Sequence, residues 1–169
     1  FSDCSRVVVC ANLPYYITSP IIMMLLENKL PIDSITVMVQ LEAAERICAE
    51  VGSRKAGAVT AAVSYYADKE ILFSVGRESF IPSPNVDSAV IKLNILKEPP
   101  VKVADEKKFF SLVKACFAQR RKTLVNTVSN TLNIDKNALR NALSELGIKE
   151  TVRGEELDME QLAALSEKL

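Results

Sequence analysis

The stretch Val7-Val8-Val9-Cys10-Ala11-Asn12-Leu13-Pro14-Tyr15-Tyr16-Ile17-Thr18-Ser19-Pro20-Ile21-Ile22-Met23-Met24-Leu25-Leu26 decides the fold class of this 169-residue chain. Its first five residues are a short continuous apolar run, which predicts a strand buried on both faces. Asn12 to Tyr16 breaks the run. Ser19 followed by Pro20 then reads as a helix cap before a proline at the first helical position, and the helix is expected to stop near Asn28. Downstream, residues 35–39 predict a second buried strand and residues 42–51 a charged helix closed by Gly52. Val59, Val63 and Tyr66 recur at helical spacing. Residues 71–75 and 89–93 read as strands joined by the stiff loop Phe80-Ile81-Pro82-Ser83-Pro84-Asn85, hence an antiparallel pair at one edge. Strands alternating with helices indicate an α/β sheet of the doubly wound kind.

The pattern changes at Leu96-Lys97-Glu98-Pro99-Pro100. Residues 1–96 are therefore expected to form the α/β part, 97–104 a linker, and 105–169 a small all-α domain. In that domain one long helix is predicted over about Lys107 to Thr131. A second starts at the cap Asp135 and closes at Gly147. A third starts at Asp158, with Gln161 in capping-box position.

Composition excludes several classes of function. There are 21 basic and 21 acidic residues and no histidine, so histidine-based nucleophilic catalysis and histidine-ligated metals are ruled out. Cys4, Cys10, Cys48 and Cys116 are scattered, without a C-x-x-C pair. They predict no metal site, and instead reduced, mostly buried thiols in a cytoplasmic protein. No apolar run approaches the ~20 residues a membrane helix needs.

Asn12-Leu13-Pro14-Tyr15 falls at the carboxyl end of a strand, where open α/β sheets bind ligands. The plain reading is a turn, with Tyr15 packed in the core. The chemical reading starts from an exocyclic adenine amine, whose lone pair is delocalised into the ring. Two acceptors, the Asn12 side-chain oxygen and the carbonyl of Leu13 or Pro14, would hold its hydrogens and aim the lone pair at an electrophilic methyl group. That is catalysis by positioning and electrostatics, without a strong base. Tyr15 would stack on the unpaired base, and Phe80, on its proline-stiffened loop, would meet the other face. The plain alternative for Phe80 is a hydrophobic plug under the loop.

Charge is segregated in the tail. Between residues 107 and 134 lie Lys107, Lys108, Lys114, Arg120, Arg121 and Lys122 with no acidic residue; residues 145–169 hold seven acidic and three basic ones. A charge run is usually a solvated helix face. Arg120, Arg121 and Lys122, with Lys114, can instead lay a basic stripe along RNA phosphates.

Residues 12–20 resemble motif IV of the small-subunit ribosomal RNA adenine dimethyltransferases. Residues 80–90 are similar to their motif VIII, and residues 117–126 to the signature that opens their helical domain. The resemblance implies part of a Rossmann-like class I methyltransferase sheet followed by a small helical RNA-binding domain. It implies S-adenosylmethionine as cofactor, with Asn12 beside both cofactor and target amine. The substrate would be N6 of two adjacent adenines near the 3′ end of 16S rRNA in the small ribosomal subunit, modified during ribosome biogenesis. Separately from the resemblance, the full-length protein is expected to be a cytoplasmic monomer. Asn85 stands where the family often has lysine. The family's glycine-rich cofactor turn has no counterpart, since Gly52, Gly57, Gly76, Gly147 and Gly154 form no G-x-G. The chain is therefore expected to be a carboxy-terminal part, inactive alone, whose strand 7–11 becomes an exposed apolar edge. Alternatives are the large-subunit (23S) rRNA dimethyltransferases of macrolide resistance, which usually carry Ile where Leu13 stands and lack the Arg-Arg-Lys segment, and a non-catalytic ribosome assembly factor. DNA adenine methyltransferases share the tetrapeptide but not the tail.

Overall fold

The computed structural model describes residues 4–169. They divide into two compact units. One runs to Ala49 and resumes from Tyr66 to Pro99; the other joins Glu50–Tyr65 to Pro100–Leu169.

The first unit is built on a four-stranded sheet in the order β1-β2-β4-β3, comprising β1 (Val8–Asn12), β2 (Ser34–Gln40), β3 (Ala67–Val75) and β4 (Ser88–Ile95). β1 and β2 pair in parallel, so the chain must cross over between them, and α1 (Thr18–Glu27) is that crossover. β4 is antiparallel to both β2 and β3, as the loop-joined pair of late strands requires. Alternation sets the core: Ile35, Val37 and Val39 of β2 and Ala89, Ile91 and Leu93 of β4 are buried. Ile22 and Leu26 of α1, one helical turn apart, are buried with them, as are Ala44 and Ile47 of α2 (Leu41–Ile47).

Neither strand predicted to be buried on both faces is so. β2 buries one face, while Thr36, Met38 and Gln40 on the other are half-covered. β1 is an edge strand among the described residues, with Val8 55% exposed and Cys10 and Asn12 exposed. It therefore has the exposed apolar edge that the family resemblance implies. α1 begins at Thr18, ahead of the expected Ser19 cap, directly after a 3-10 turn over Tyr15–Ile17. Pro20 then sits in the first turn, where an amide hydrogen has no intrahelical partner anyway. α2 ends at Ile47; Ser53 Oγ donates to the Glu50 carbonyl in the turn that follows, and Gly52 takes φ +89°.

The second unit is helical: α3 (Ala58–Tyr66, its last residue apart), α4 (Glu106–Phe117), α5 (Leu124–Leu132), α6 (Lys136–Glu145) and α7 (Met159–Lys168). Its caps follow local chemistry. Asp105 accepts from the amides of Lys107 and Lys108, Asp135 from those of Asn137 and Ala138, and Asp158 and Gln161 form a capping box. Gly147 takes φ +67° after α6.

Two sequence expectations need correction here. Residues 50–65 group with the helices, not with the sheet of residues 1–96, because Tyr65 packs its ring on Phe109 and Phe110 at 5.4 and 5.2 Å. The long helix expected over 107–131 is broken at Ala118–Thr123, which contains neither glycine nor proline. Tertiary contacts override its helix propensity. Thr123 is extended, the Leu124 amide donates to the Val152 carbonyl at 2.8 Å, and Thr127 Oγ1 reaches the Gln119 carbonyl at 3.4 Å. The break lets Leu124, Val125 and Val128 all be buried.

The thiols also differ from expectation. Cys4 and Cys10 are exposed, Cys48 is half-buried and only Cys116 is buried. Burial pushes the Cys116 thiol from 9.0 up to about 12 and raises that of Cys48 as well. Only the thiolate reacts, so an alkylating reagent at pH 8 is expected to label Cys4 and Cys10 first, Cys48 more slowly, and Cys116 only on unfolding. Peptide mass spectrometry over a time course checks the order; early labelling of Cys116 would refute it. Between pH 9 and about 12 the unfolded chain has lost this proton and the folded chain keeps it, so stability falls as pH rises through that window.

Candidate active site

Sheet register gathers the candidate residues at one end. Asn12 lies opposite Met38, Met38 opposite Val90, and Val90 opposite Phe73. Just beyond that row, Asn12-Leu13-Pro14-Tyr15 leaves the carboxyl end of β1, and the loop over residues 76–87 leaves β3 and returns as β4. Asn12 is exposed, whereas Leu13 is buried and its amide bonds the Met38 carbonyl at 3.2 Å. The buried leucine anchors the tetrapeptide and leaves the asparagine outward.

The Tyr15 hydroxyl lies 2.7 Å from Ser88 Oγ. This bond joins the strand-end tetrapeptide to the first residue of β4, 73 positions away. Ser88 is fully buried and was not singled out from the sequence. A serine entering an apolar strand is the signal that could have found it, because a buried hydroxyl needs a partner. In a 3-10 turn successive side chains diverge by a third of a turn, so Tyr16 points away from Tyr15 and is 85% exposed.

The two candidate backbone acceptors are not equivalent. The Pro14 carbonyl already receives the Ile17 amide at 3.2 Å and the Thr18 hydroxyl at 3.3 Å. A carbonyl oxygen has two lone pairs, so Leu13 is the better placed acceptor beside Asn12.

Phe80 stands, half-buried, directly after the 3-10 turn Arg77–Ser79 in the loop before β4. Asp87 organises that loop: its carboxylate accepts the Arg77 amide at 3.0 Å and its carbonyl accepts the Leu41 amide at 3.0 Å. Ser83 Oγ donates to the Arg77 carbonyl at 2.9 Å. An open cleft of about 360 Å³ lies between this loop and the start of α2, lined among others by Gln40, Glu42, Arg77, Asn85 and Asp87. Among the described residues no cluster of His, Cys, Asp or Glu could hold a metal, and no helix is long and apolar enough to cross a membrane.

The chain matches the ribosomal RNA adenine dimethylase family over residues 1–169. It belongs to that family. Ribosomal RNA small subunit methyltransferase A of Geobacillus thermodenitrificans is 48% identical to it over 172 aligned residues, and that of Bacillus licheniformis 47%. Both alignments cover 100% of this chain and 59% of the relative, so the chain spans about three-fifths of their length. Among solved structures, a dimethyladenosine transferase from Plasmodium falciparum superposes with a TM-score of 0.78 at 29% identity, covering 94% of this chain and 65% of that one. The 23S rRNA methyltransferase ErmE superposes with a TM-score of 0.68 at 25% identity, covering 98% and 66%. These neighbours carry the Rossmann-like methyltransferase fold expected of the sheet.

For this member of the dimethylase family, the basic residues of the second unit sit differently from the sequence expectation. Lys114 is exposed in the last turn of α4. Arg120, Arg121 and Lys122 are exposed in the break between α4 and α5, not along a helix. Arg120 is moreover held: its guanidinium donates to the carbonyls of Arg54 at 2.6 Å and Ala56 at 3.1 Å, and pairs with Glu155 at 3.4 Å.

Proposed function

We propose that the chain is the carboxy-terminal part of an S-adenosylmethionine-dependent methyltransferase that dimethylates N6 of two adjacent adenines near the 3′ end of 16S rRNA during ribosome biogenesis. The observation that carries this reading is the Tyr15–Ser88 hydroxyl pair at 2.7 Å. It ties the tetrapeptide to the strand that the Phe80 loop feeds, with Asn12 exposed beside it. The small-subunit assignment rests on the 48% identity to a small-subunit methyltransferase over the whole chain, against 25% to the 23S enzyme.

In this reading the Asn12 Oδ1 and the Leu13 carbonyl accept the two amine hydrogens and orient the nitrogen lone pair. Tyr15, its hydroxyl tethered by Ser88, stacks on one face of the flipped base and Phe80 on the other. S-adenosylmethionine supplies the electrophilic methyl group. The donor set of the site fits that chemistry: it offers neutral acceptors for an amine and no metal ligand. Of this chain's residues Asn12 is the one assigned to the cofactor. Arg121, Lys122 and Lys114 hold rRNA phosphates. The whole protein works as a cytoplasmic monomer, and residues 1–169 alone transfer no methyl group.

The test uses the whole encoded protein, including any sequence upstream of Phe1, with labelled S-adenosylmethionine. Unmethylated small subunits and large-subunit RNA are offered separately. Label is expected in small-subunit adenines as N6,N6-dimethyladenine. Label only in large-subunit RNA would overturn the small-subunit assignment, and no label with intact subunit binding would favour an assembly factor. Turnover by residues 1–169 alone would overturn the inactivity.

A further inference from the structure

We propose that Asp87 is a positioning residue for the methyl transfer: its hydrogen bond to the Arg77 amide fixes where Phe80 stands, while the next residue, Ser88, fixes Tyr15. This role rests on the reading above that the two rings close on the target base, and it supplies what sets their spacing.

Burial does not hold the Phe80 loop. Ile81 is fully exposed, and Pro82, Ser83, Asn85, Val86 and Asp87 are exposed as well. A segment with so few packed side chains keeps its place through hydrogen bonds and a stiff backbone. Those bonds converge on Arg77. Its amide donates to Asp87 Oδ1 at 3.0 Å, and its carbonyl accepts the Phe80 amide at 3.3 Å and Ser83 Oγ at 2.9 Å. Both lone pairs of that carbonyl are thereby filled. Phe80 is bonded to Arg77, and Arg77 to Asp87.

Asp87 is itself fixed from the other side. Its carbonyl accepts the Leu41 amide at 3.0 Å, at the start of α2. It immediately precedes β4, whose first residue Ser88 lies opposite Gln40 of β2. Ser88 is fully buried and holds the Tyr15 hydroxyl at 2.7 Å. Two consecutive residues at one end of the sheet therefore each hold one ring, through one side-chain hydrogen bond apiece. The Asp87 bond runs from a carboxylate to a backbone amide, a charge-assisted kind stronger than its neutral equivalent. Asp87 acts through Phe80 and not on the reacting atoms.

The experiment is a double-mutant cycle in the whole encoded protein, read as single-turnover methylation of unmethylated small subunits. Phe80→Ala removes a base-stacking ring and is expected to slow the reaction by roughly 10–100-fold. Asp87→Ala keeps the ring but frees it, and is expected to slow the reaction by roughly 3–30-fold. Asp87→Asn retains an acceptor oxygen and should restore most of the rate. Asp87 is exposed, so the unfolding midpoint is expected to hold in both of its variants. Added to Phe80→Ala, Asp87→Ala should slow the reaction no further, since a residue that works through the ring has nothing left to position. Hydrogen exchange over residues 76–83 should be faster in Asp87→Ala and near the parent's in Asp87→Asn. Losses that multiply in the double variant would overturn the positioning role, because an effect on folding or elsewhere in the site would add to that of Phe80. Unchanged exchange in Asp87→Ala would overturn it whichever RNA is methylated. The same non-additivity on large-subunit RNA, with small subunits unmethylated, would overturn the small-subunit function and support the role of Asp87.

Discussion

Replacing Asn12 with alanine in the whole protein is expected to lower methyl transfer to small subunits by roughly 10²–10³-fold, the usual cost of deleting one preorganised polar group from a reacting centre. The loss should fall on kcat with KM little changed, because holding a pyramidal amine matters only as the lone pair is recruited for the transition state. Stability gives little room for another explanation. Asn12 is exposed and its side chain makes none of the contacts that fix the tetrapeptide; Leu13 burial and the Leu13–Met38 hydrogen bond do that. Truncation of such a side chain should move the unfolding free energy by less than about 0.5 kcal/mol. Asn12→Asp keeps an acceptor oxygen and should retain more activity than alanine. Quench-flow with labelled S-adenosylmethionine, beside a denaturation curve, separates these effects. An alanine variant with more than a tenth of the parent rate would remove Asn12 from the mechanism and leave the plain turn reading of the tetrapeptide.

What could be read from the sequence was chemistry acting over a few residues. Asp135 and Asp158 were legible as caps because a carboxylate accepts from amides two or three positions ahead. The four strands were legible from their apolar runs, and the antiparallel edge from the loop that replaces a helix before β4. Three matched motifs pointed to the family that the whole-length match then established. What stayed hidden depends on partners distant in the chain. The α4–α5 break has no local breaker; it is held by partners distant in the chain, the Val152 carbonyl accepting the Leu124 amide and the Arg54 and Ala56 carbonyls accepting the Arg120 guanidinium. Those contacts accompany a turn where a helical stripe was expected. The Pro14 carbonyl was equally hidden as an unsuitable acceptor, since only folding the Tyr15–Ile17 turn fills its lone pairs.

Phe109→Ala is the change expected to cost most stability. Phe109 is fully buried, and its ring lies 5.4 Å from that of Tyr65 and 5.1 Å from that of Phe110, which is itself 5.2 Å from Tyr65. Each ring touches the other two, so alanine at 109 removes two of the three ring pairs and leaves a void between α3 and α4. A buried Phe→Ala change costs about 3–5 kcal/mol, against a total of roughly 5–15 kcal/mol for a typical domain. The helical unit would be left marginal. Phe110→Ala should cost less, since Phe110 is 9% exposed. Tyr65→Phe keeps the ring and loses the hydroxyl with its 3.4 Å bond to the Glu106 carboxylate, so it should cost least. Urea denaturation followed by far-ultraviolet circular dichroism ranks the three. The same triad holds residues 50–65 to the carboxy-terminal helices, so Phe109→Ala should also speed amide exchange in α3 together with α4. Faster exchange in α4 with α3 still protected would show that α3 draws its stability from the sheet, and the division of the chain would have to be redrawn at residue 99.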